Sequence, residues 1–155
     1  MVELKRILLV DDDIRDIELA LEALHEHHLA NDVIVTRDGE EALDYLYRRG
    51  THAARPAGNP IVILLDLRMP RVGGLEVLRT VKADPDLCTI PIVILTSSRE
   101  ESDLIRSYRL GANGYVVKPV DFAQFSQVVQ EIGAFWAVLN EAPPQNLSAR
   151  EKTAS

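Results

Sequence analysis

Short apolar runs alternate along this chain with longer stretches of helical period. Residues 7–10, 33–36, 61–65, 92–96 and 115–117 read as strands. Three of these are near-continuous Val, Ile and Leu, as in strands buried on both faces beneath helices. Between them, apolar positions recur at helical spacing. Ile17, Ala20, Leu21 and Leu24 form one set, and Ala42, Tyr45 and Leu46 another after the Asp38-Gly39 turn. Leu75, Leu78 and Val81 follow Gly73-Gly74, and Leu104, Ile105 and Tyr108 precede a helix-ending Gly111. A last helix opens at the N-cap residue Asp121 and carries Phe122, Phe125, Val129, Ile132 and Trp136. Strand and helix thus alternate five times. Right-handed crossovers then predict an α/β fold, a doubly wound five-stranded parallel sheet of flavodoxin-like order 2-1-3-4-5 with five helices. Residues 48–60, rich in Arg, Ala, Gly and Pro, read as a lengthened loop. The domain is expected over 1–140 and a mobile tail over 141–155, where periodicity stops.

Composition narrows the function. The 155 residues carry a net charge of −7, which argues against a sequence-blind grip on nucleic acid. No apolar run approaches the roughly 20 residues of a membrane span. The opening MVELKRILLVDDD has too short an apolar stretch for a secretory signal, so a cytoplasmic protein is expected. Cys88 is the single cysteine, which excludes an internal disulfide.

In an open α/β sheet, ligands gather outside the carboxyl ends of the strands. Strand one ends in Asp11-Asp12-Asp13, strand three in Asp66, strand four in Thr96-Ser97 and strand five in Lys118-Pro119. Strands one and three are neighbours in the predicted order, so Asp11, Asp12 and Asp66 should converge. Crowded carboxylates call for a cation, and hard oxygen ligands favour Mg²⁺. Three carboxylates against the Lys118 ammonium leave a formal −2, which one Mg²⁺ neutralises. A carboxylate nucleophile in such a setting can take a phosphoryl group, with Mg²⁺, Lys118, the Thr96 hydroxyl and backbone N–H groups after Asp66 as partners for its oxygens.

Val10-Asp11-Asp12, Leu65-Asp66-Leu67-Arg68-Met69-Pro70, Leu95-Thr96-Ser97 and Tyr115-Val116-Val117-Lys118-Pro119 together resemble the receiver domain of two-component response regulators. The resemblance covers about residues 4–138. It implies that Asp66 accepts phosphate from a histidine kinase or a phosphotransfer protein. It implies a Mg²⁺ site of Asp11, Asp12, Asp66 and the Arg68 carbonyl, with Lys118 on the phosphoryl oxygens and a cis peptide before Pro119. Thr96 and Tyr115 would be a switch pair, Thr96 turning to the phosphoryl group and Tyr115 moving inward behind it. Arg106-Ser107-Tyr108, Leu110-Gly111-Ala112-Asn113, Lys118-Pro119-Val120-Asp121-Phe122 and the Phe135-Trp136 pair resemble, more narrowly, the small regulators that pair with bacterial and cyanobacterial phytochrome kinases. Two positions depart from the family. Asp13 stands where Asn is frequent. Arg68, two residues past the acceptor, could shield a phosphoryl group or obstruct water.

Competing readings exist for several of these residues. Asp11-Asp12-Asp13 could be an acidic turn and helix cap. His25 and His28 are one turn apart but lack a third ligand nearby in sequence, so a solvated helix end is expected. Phe135 and Trp136 lie late on a helix whose inward face is already supplied, which predicts an exposed apolar patch and a homodimer. The alternative function is a Mg²⁺-dependent phosphohydrolase of the haloacid-dehalogenase type. Its D-x-D-x-[T/V] motif is met only in part, because Arg15 stands where Thr or Val is required.

Overall fold

A computed structural model describes residues 5–29 and 32–144. Five strands, β1 (Arg6–Val10), β2 (Asp32–Thr36), β3 (Val62–Leu65), β4 (Ile92–Thr96) and β5 (Gly114–Val117), alternate with five helices. The helices are α1 (Ile14–Glu26), α2 (Gly39–Tyr47), α3 (Gly74–Ala83), α4 (Glu101–Arg109) and α5 (Phe122–Gly133). All strand pairs are parallel and the order is β2-β1-β3-β4-β5, as the alternation predicted.

Two cores explain the continuous apolar strands. Leu8, Val10, Ile63, Leu65, Ile92 and Ile94 face one way, onto Ala42 and Leu46 of α2 and Val77, Leu78 and Val81 of α3. Their chain neighbours Ile7, Leu9, Val62, Leu64, Val93 and Leu95 face the other way, onto Ile17, Ala20 and Leu24 of α1 and Phe125, Val129 and Ile132 of α5. Alternate side chains of a strand point to opposite faces, so a strand covered on both sides needs an apolar residue at every position.

Several expectations are corrected. The apolar set of α4 does not face the core: Leu104, Ile105 and Tyr108 are 37%, 42% and 52% exposed, while Asp103 and Ser107 are buried. The Lys118–Pro119 peptide is trans, since the described chain holds no cis bond. The modest trans preference of an X–Pro bond is unopposed there, because Lys118 reaches its partners without isomerisation. The predicted loop over 48–60 includes a short 3₁₀ turn, Gly50–His52. Its Arg55 donates to the Tyr45 and Leu46 carbonyls at the C-terminal end of α2. Beyond α5 the chain continues as a π-helical segment, Ala134–Leu139. Of the tail expected over 141–155, residues 145–155 lie outside the described residues. Among the described residues, no helix is long and apolar enough to cross a membrane.

Candidate functional site

Sheet register assembles the site. Val10 pairs with Leu65, so the next residues, Asp11 and Asp66, leave the sheet side by side. The Asp66 amide still donates to the Val10 carbonyl at 3.0 Å. On the other side Thr96 pairs with Val117, and Lys118 N donates to the Thr96 carbonyl at 2.8 Å, which aims the lysine back at the two acids. Carboxylate oxygens of Asp11, Asp12 and Asp66 lie within 4.8 Å of one another, close enough to ligate one cation. Asp11 and Asp66 are buried, and Asp12 is more open to solvent.

Lys118 is the counter-charge. Its Nζ, buried like the acids, donates to Asp11 Oδ2 at 2.7 Å, Asp16 Oδ2 at 2.8 Å and Asp66 Oδ2 at 3.2 Å. Burial works to lower its pKa, but the bonds to Asp11 and Asp16 and the charges of Asp11 and Asp66 outweigh it, and the net direction is up. The ammonium therefore keeps its charge at neutral pH. Asp11 is pushed up to about 6, first by loss of solvent, against the pull of Lys118 and of the Asp13 N–H on its other oxygen at 3.0 Å. Asp16 was not singled out in the sequence. Its signal was an acid in the first turn of α1, three residues after the cap. It makes the cluster four carboxylates to one ammonium, and the surplus of hard anionic oxygen strengthens the fit to a divalent cation such as Mg²⁺.

The remaining predicted residues divide. Asp13 is the N-cap of α1, its Oδ1 accepting from Arg15 N and Asp16 N at 2.9 and 3.2 Å, so the capping reading holds for this member of the triplet. The Thr96 side chain is fully buried and its Oγ1 accepts from Ser98 N at 3.4 Å. Tyr115 lies half-buried with its hydroxyl donating to the Ser98 carbonyl at 3.0 Å. Arg68 N donates to Asp66 Oδ1 at 3.4 Å, while its guanidinium turns to Asp103 and Glu100 at the start of α4. On the opposite side Arg71, at φ 66°, holds Glu40 and Asp38 at the start of α2. The loop after Asp66 is thus tied to a helix on each flank. Phe135 and Trp136 lie far along the chain in the π-helical segment, edge to face at 5.0 Å; Phe135 is 48% exposed, and Trp136 packs partly on the core.

The family model for the response regulator receiver domain matches residues 7–130. The chain belongs to the response regulator receiver family. It is 40% identical over 132 residues to the response regulator Rcp1 of Synechocystis sp., covering 85% of this chain and 88% of that protein. Among solved structures it resembles the phosphorylated cyanobacterial phytochrome response regulator RcpA, with a TM-score of 0.86 at 39% identity over 92% of this chain and all of that one. It also resembles the bacteriophytochrome response regulator AtBRR, with a TM-score of 0.72 at 59% identity over 90% of this chain and all of that one. As a receiver the chain is a signalling module that accepts a phosphoryl group from a histidine kinase. Family membership sets aside the phosphohydrolase alternative.

Proposed function

We propose that Asp66 is the phosphoacceptor of this receiver and that its kinase is of the phytochrome type. The observation that carries the site is the meeting of Asp66 with Lys118 at 3.2 Å and with Asp11 and Asp12 within one cation's span. In the reaction an Asp66 carboxylate oxygen attacks phosphorus in line. The P–N bond of the kinase phosphohistidine breaks, and its electron pair leaves on the imidazole nitrogen. Mg²⁺, held by Asp11, Asp12, Asp66 and the Arg68 carbonyl, would supply neutralisation of charge on the transferring phosphoryl oxygens. Lys118 offers its ammonium to one of those oxygens and the Thr96 hydroxyl turns toward another, with Tyr115 following inward as the second member of the switch. The buried ammonium supports this reading, because its charge is in place before the phosphoryl group arrives and needs no reorganisation.

Phosphotransfer from a bacteriophytochrome kinase tests both parts. Full-length protein with Mg²⁺ and phosphorylated kinase should gain one hydroxylamine-labile phosphoryl group, and Asp66→Asn should gain none. Uptake by the Asn variant would overturn the acceptor assignment. Uptake from other histidine kinases but not from phytochrome-type ones would overturn the partner alone. The similarity to RcpA and AtBRR supports the phytochrome link. We also assign Phe135 and Trp136 to a homodimer contact, on the exposure of Phe135 and its neighbours Val138 and Leu139.

A further inference from the structure

Helix α4 is attached to the body in an unusual way. Its buried residues are Asp103 and Ser107, one turn apart, and its apolar residues Leu104, Ile105 and Tyr108 point outward. None of these three belongs to either core. The Ser107 hydroxyl, fully buried, has no hydrogen-bond partner. What ties the inner face down is the Asp103 carboxylate. Its Oδ2 accepts from Ser98 Oγ at 2.6 Å and from Arg68 NH2 at 3.0 Å. Ser98 in turn gives its carbonyl to the Tyr115 hydroxyl, and its amide donates to Thr96 Oγ1. One buried carboxylate therefore collects the residue two past the acceptor, the β4–α4 loop and, through that loop, Tyr115. The second ion pair of Arg68, with Glu100 at 3.5 Å, is between side chains that are 64% and 65% exposed and contributes little.

We propose that Asp103 is the anchor of a latch that holds α4 down while Asp66 is bare and releases it when Asp66 carries a phosphoryl group. The inference rests on the reading of Asp66 as phosphoacceptor. Phosphorylation replaces the single negative charge of the Asp66 carboxylate with roughly −1.5 to −2, where Arg68 already touches the carboxylate through its amide. Phosphate oxygens compete well for a guanidinium, which they can grip with two parallel bonds. Arg68 has one guanidinium, so drawing it to the phosphoryl group takes it from Asp103. Asp103 is then a buried anion with the Ser98 hydroxyl as its remaining hydrogen-bond partner, and such a charge is costly until it is hydrated or paired again. Lifting α4 hydrates it, and no buried apolar side chain of that helix resists. Asp103 is a positioning residue in this scheme, acting on the acceptor through Arg68. Because coupling is reciprocal, weakening the latch must strengthen the acceptor's hold on a phosphoryl mimic.

The test uses the full chain, Mg²⁺ and beryllofluoride as the phosphoryl mimic. Asp103→Asn keeps the shape and an acceptor for Ser98 but removes the charge that holds Arg68. It should bind beryllofluoride about fivefold more tightly than wild type, the lower end of ordinary coupling between sites. In an Arg68→Ala background the same substitution should change affinity by less than about twofold, since the competed guanidinium is gone. Hydrogen exchange over residues 98–109 should quicken when wild type binds the mimic, and should not change when Arg68→Ala binds it. An equal effect of Asp103→Asn with and without Arg68, or unchanged exchange in liganded wild type, would overturn the latch. Wild type that fails to bind the mimic, or Asp66→Asn that binds it, would instead overturn the acceptor reading beneath it.

Discussion

Burial of Asp11 beside Asp66 lifts its carboxyl to about 6, and the lift has a cost that the fold carries for the sake of the site. Asp11 holds its proton more tightly folded than unfolded. Its contribution to stability is therefore complete below about pH 4 and is lost as pH rises through about 6. The move from 3.8 to about 6 corresponds to about 3 kcal/mol at most, and the 3%-exposed side chain gives solvent little chance to screen it. Asp11→Asn should thus stabilise the metal-free protein at pH 7.5 by on the order of 2 kcal/mol, with the gain vanishing toward pH 4. Saturating Mg²⁺ should raise the melting temperature of wild type and much less that of the variant. Calorimetry at three pH values with and without Mg²⁺ measures both. A variant less stable than wild type at pH 7.5 without metal would mean that Lys118 more than compensates Asp11. At this scale the sequence was legible wherever an acid or a lysine ended an apolar strand, as at positions 11, 66 and 118. Asp16 and Asp103 sit inside helices, where an acid is ordinarily a surface residue, so only their three-dimensional partners mark them out.

Helix placement around the acceptor depends on close backbone approach. A Cβ on Gly74, the first residue of α3, would collide with the Asp66 carbonyl and lie 2.7 Å from Leu67 Cα, neither of which can yield without moving the acceptor. A Cβ on Gly73 meets only the Leu67 carbonyl at 3.5 Å, an ordinary contact, and its φ of −77° suits any residue. Gly74→Ala should therefore cost about 1–3 kcal/mol and slow phosphorylation, whereas Gly73→Ala should stay within about 1 kcal/mol of wild type. Urea unfolding and phosphorylation rates on the pair decide it, and equal effects would deny the close approach. From the sequence the two glycines read alike as a turn, because a dipeptide carries no record of which Cα faces a neighbouring strand. The same limit applies to α4. Apolar period identifies a helix and one of its faces, but the direction of that face is set by what lies opposite. The Leu104, Ile105 and Tyr108 face looks outward because Asp103 finds Arg68 and Ser98 beneath it. The strands were legible for the converse reason, since a run apolar at every position fits only a sheet covered on both sides.

For the whole molecule the open question is what a receiver of this form presents to a second copy. In the π-helical segment Phe135, Val138 and Leu139 are 48%, 62% and 72% exposed, while Ala137 is buried in the core and Trp136 packs partly on it. The segment is anchored by Lys5, whose Nζ donates to the Ala137 carbonyl at 2.8 Å. A fixed backbone that displays three large apolar side chains loses little entropy on docking, which favours a two-fold contact. Each copy carries a charge of −7, so association works against a mutual repulsion that salt screens. The dimer should accordingly tighten as salt rises from about 0.05 M to about 0.5 M, the opposite of a contact built on ion pairs. Val138→Glu should weaken it at least tenfold, about 1.4 kcal/mol, because a carboxylate would have to be buried in an apolar seam. It should leave the acceptor chemistry intact, since position 138 lies outside the contacts that build the site. Sedimentation velocity across a protein and salt series, with phosphorylation followed on the same samples, separates these effects. A monomer at every concentration, with and without phosphoryl group, would remove the contact and leave phosphorylation untouched. Dimerisation that survives Val138→Glu unchanged would move the interface to another face of the molecule.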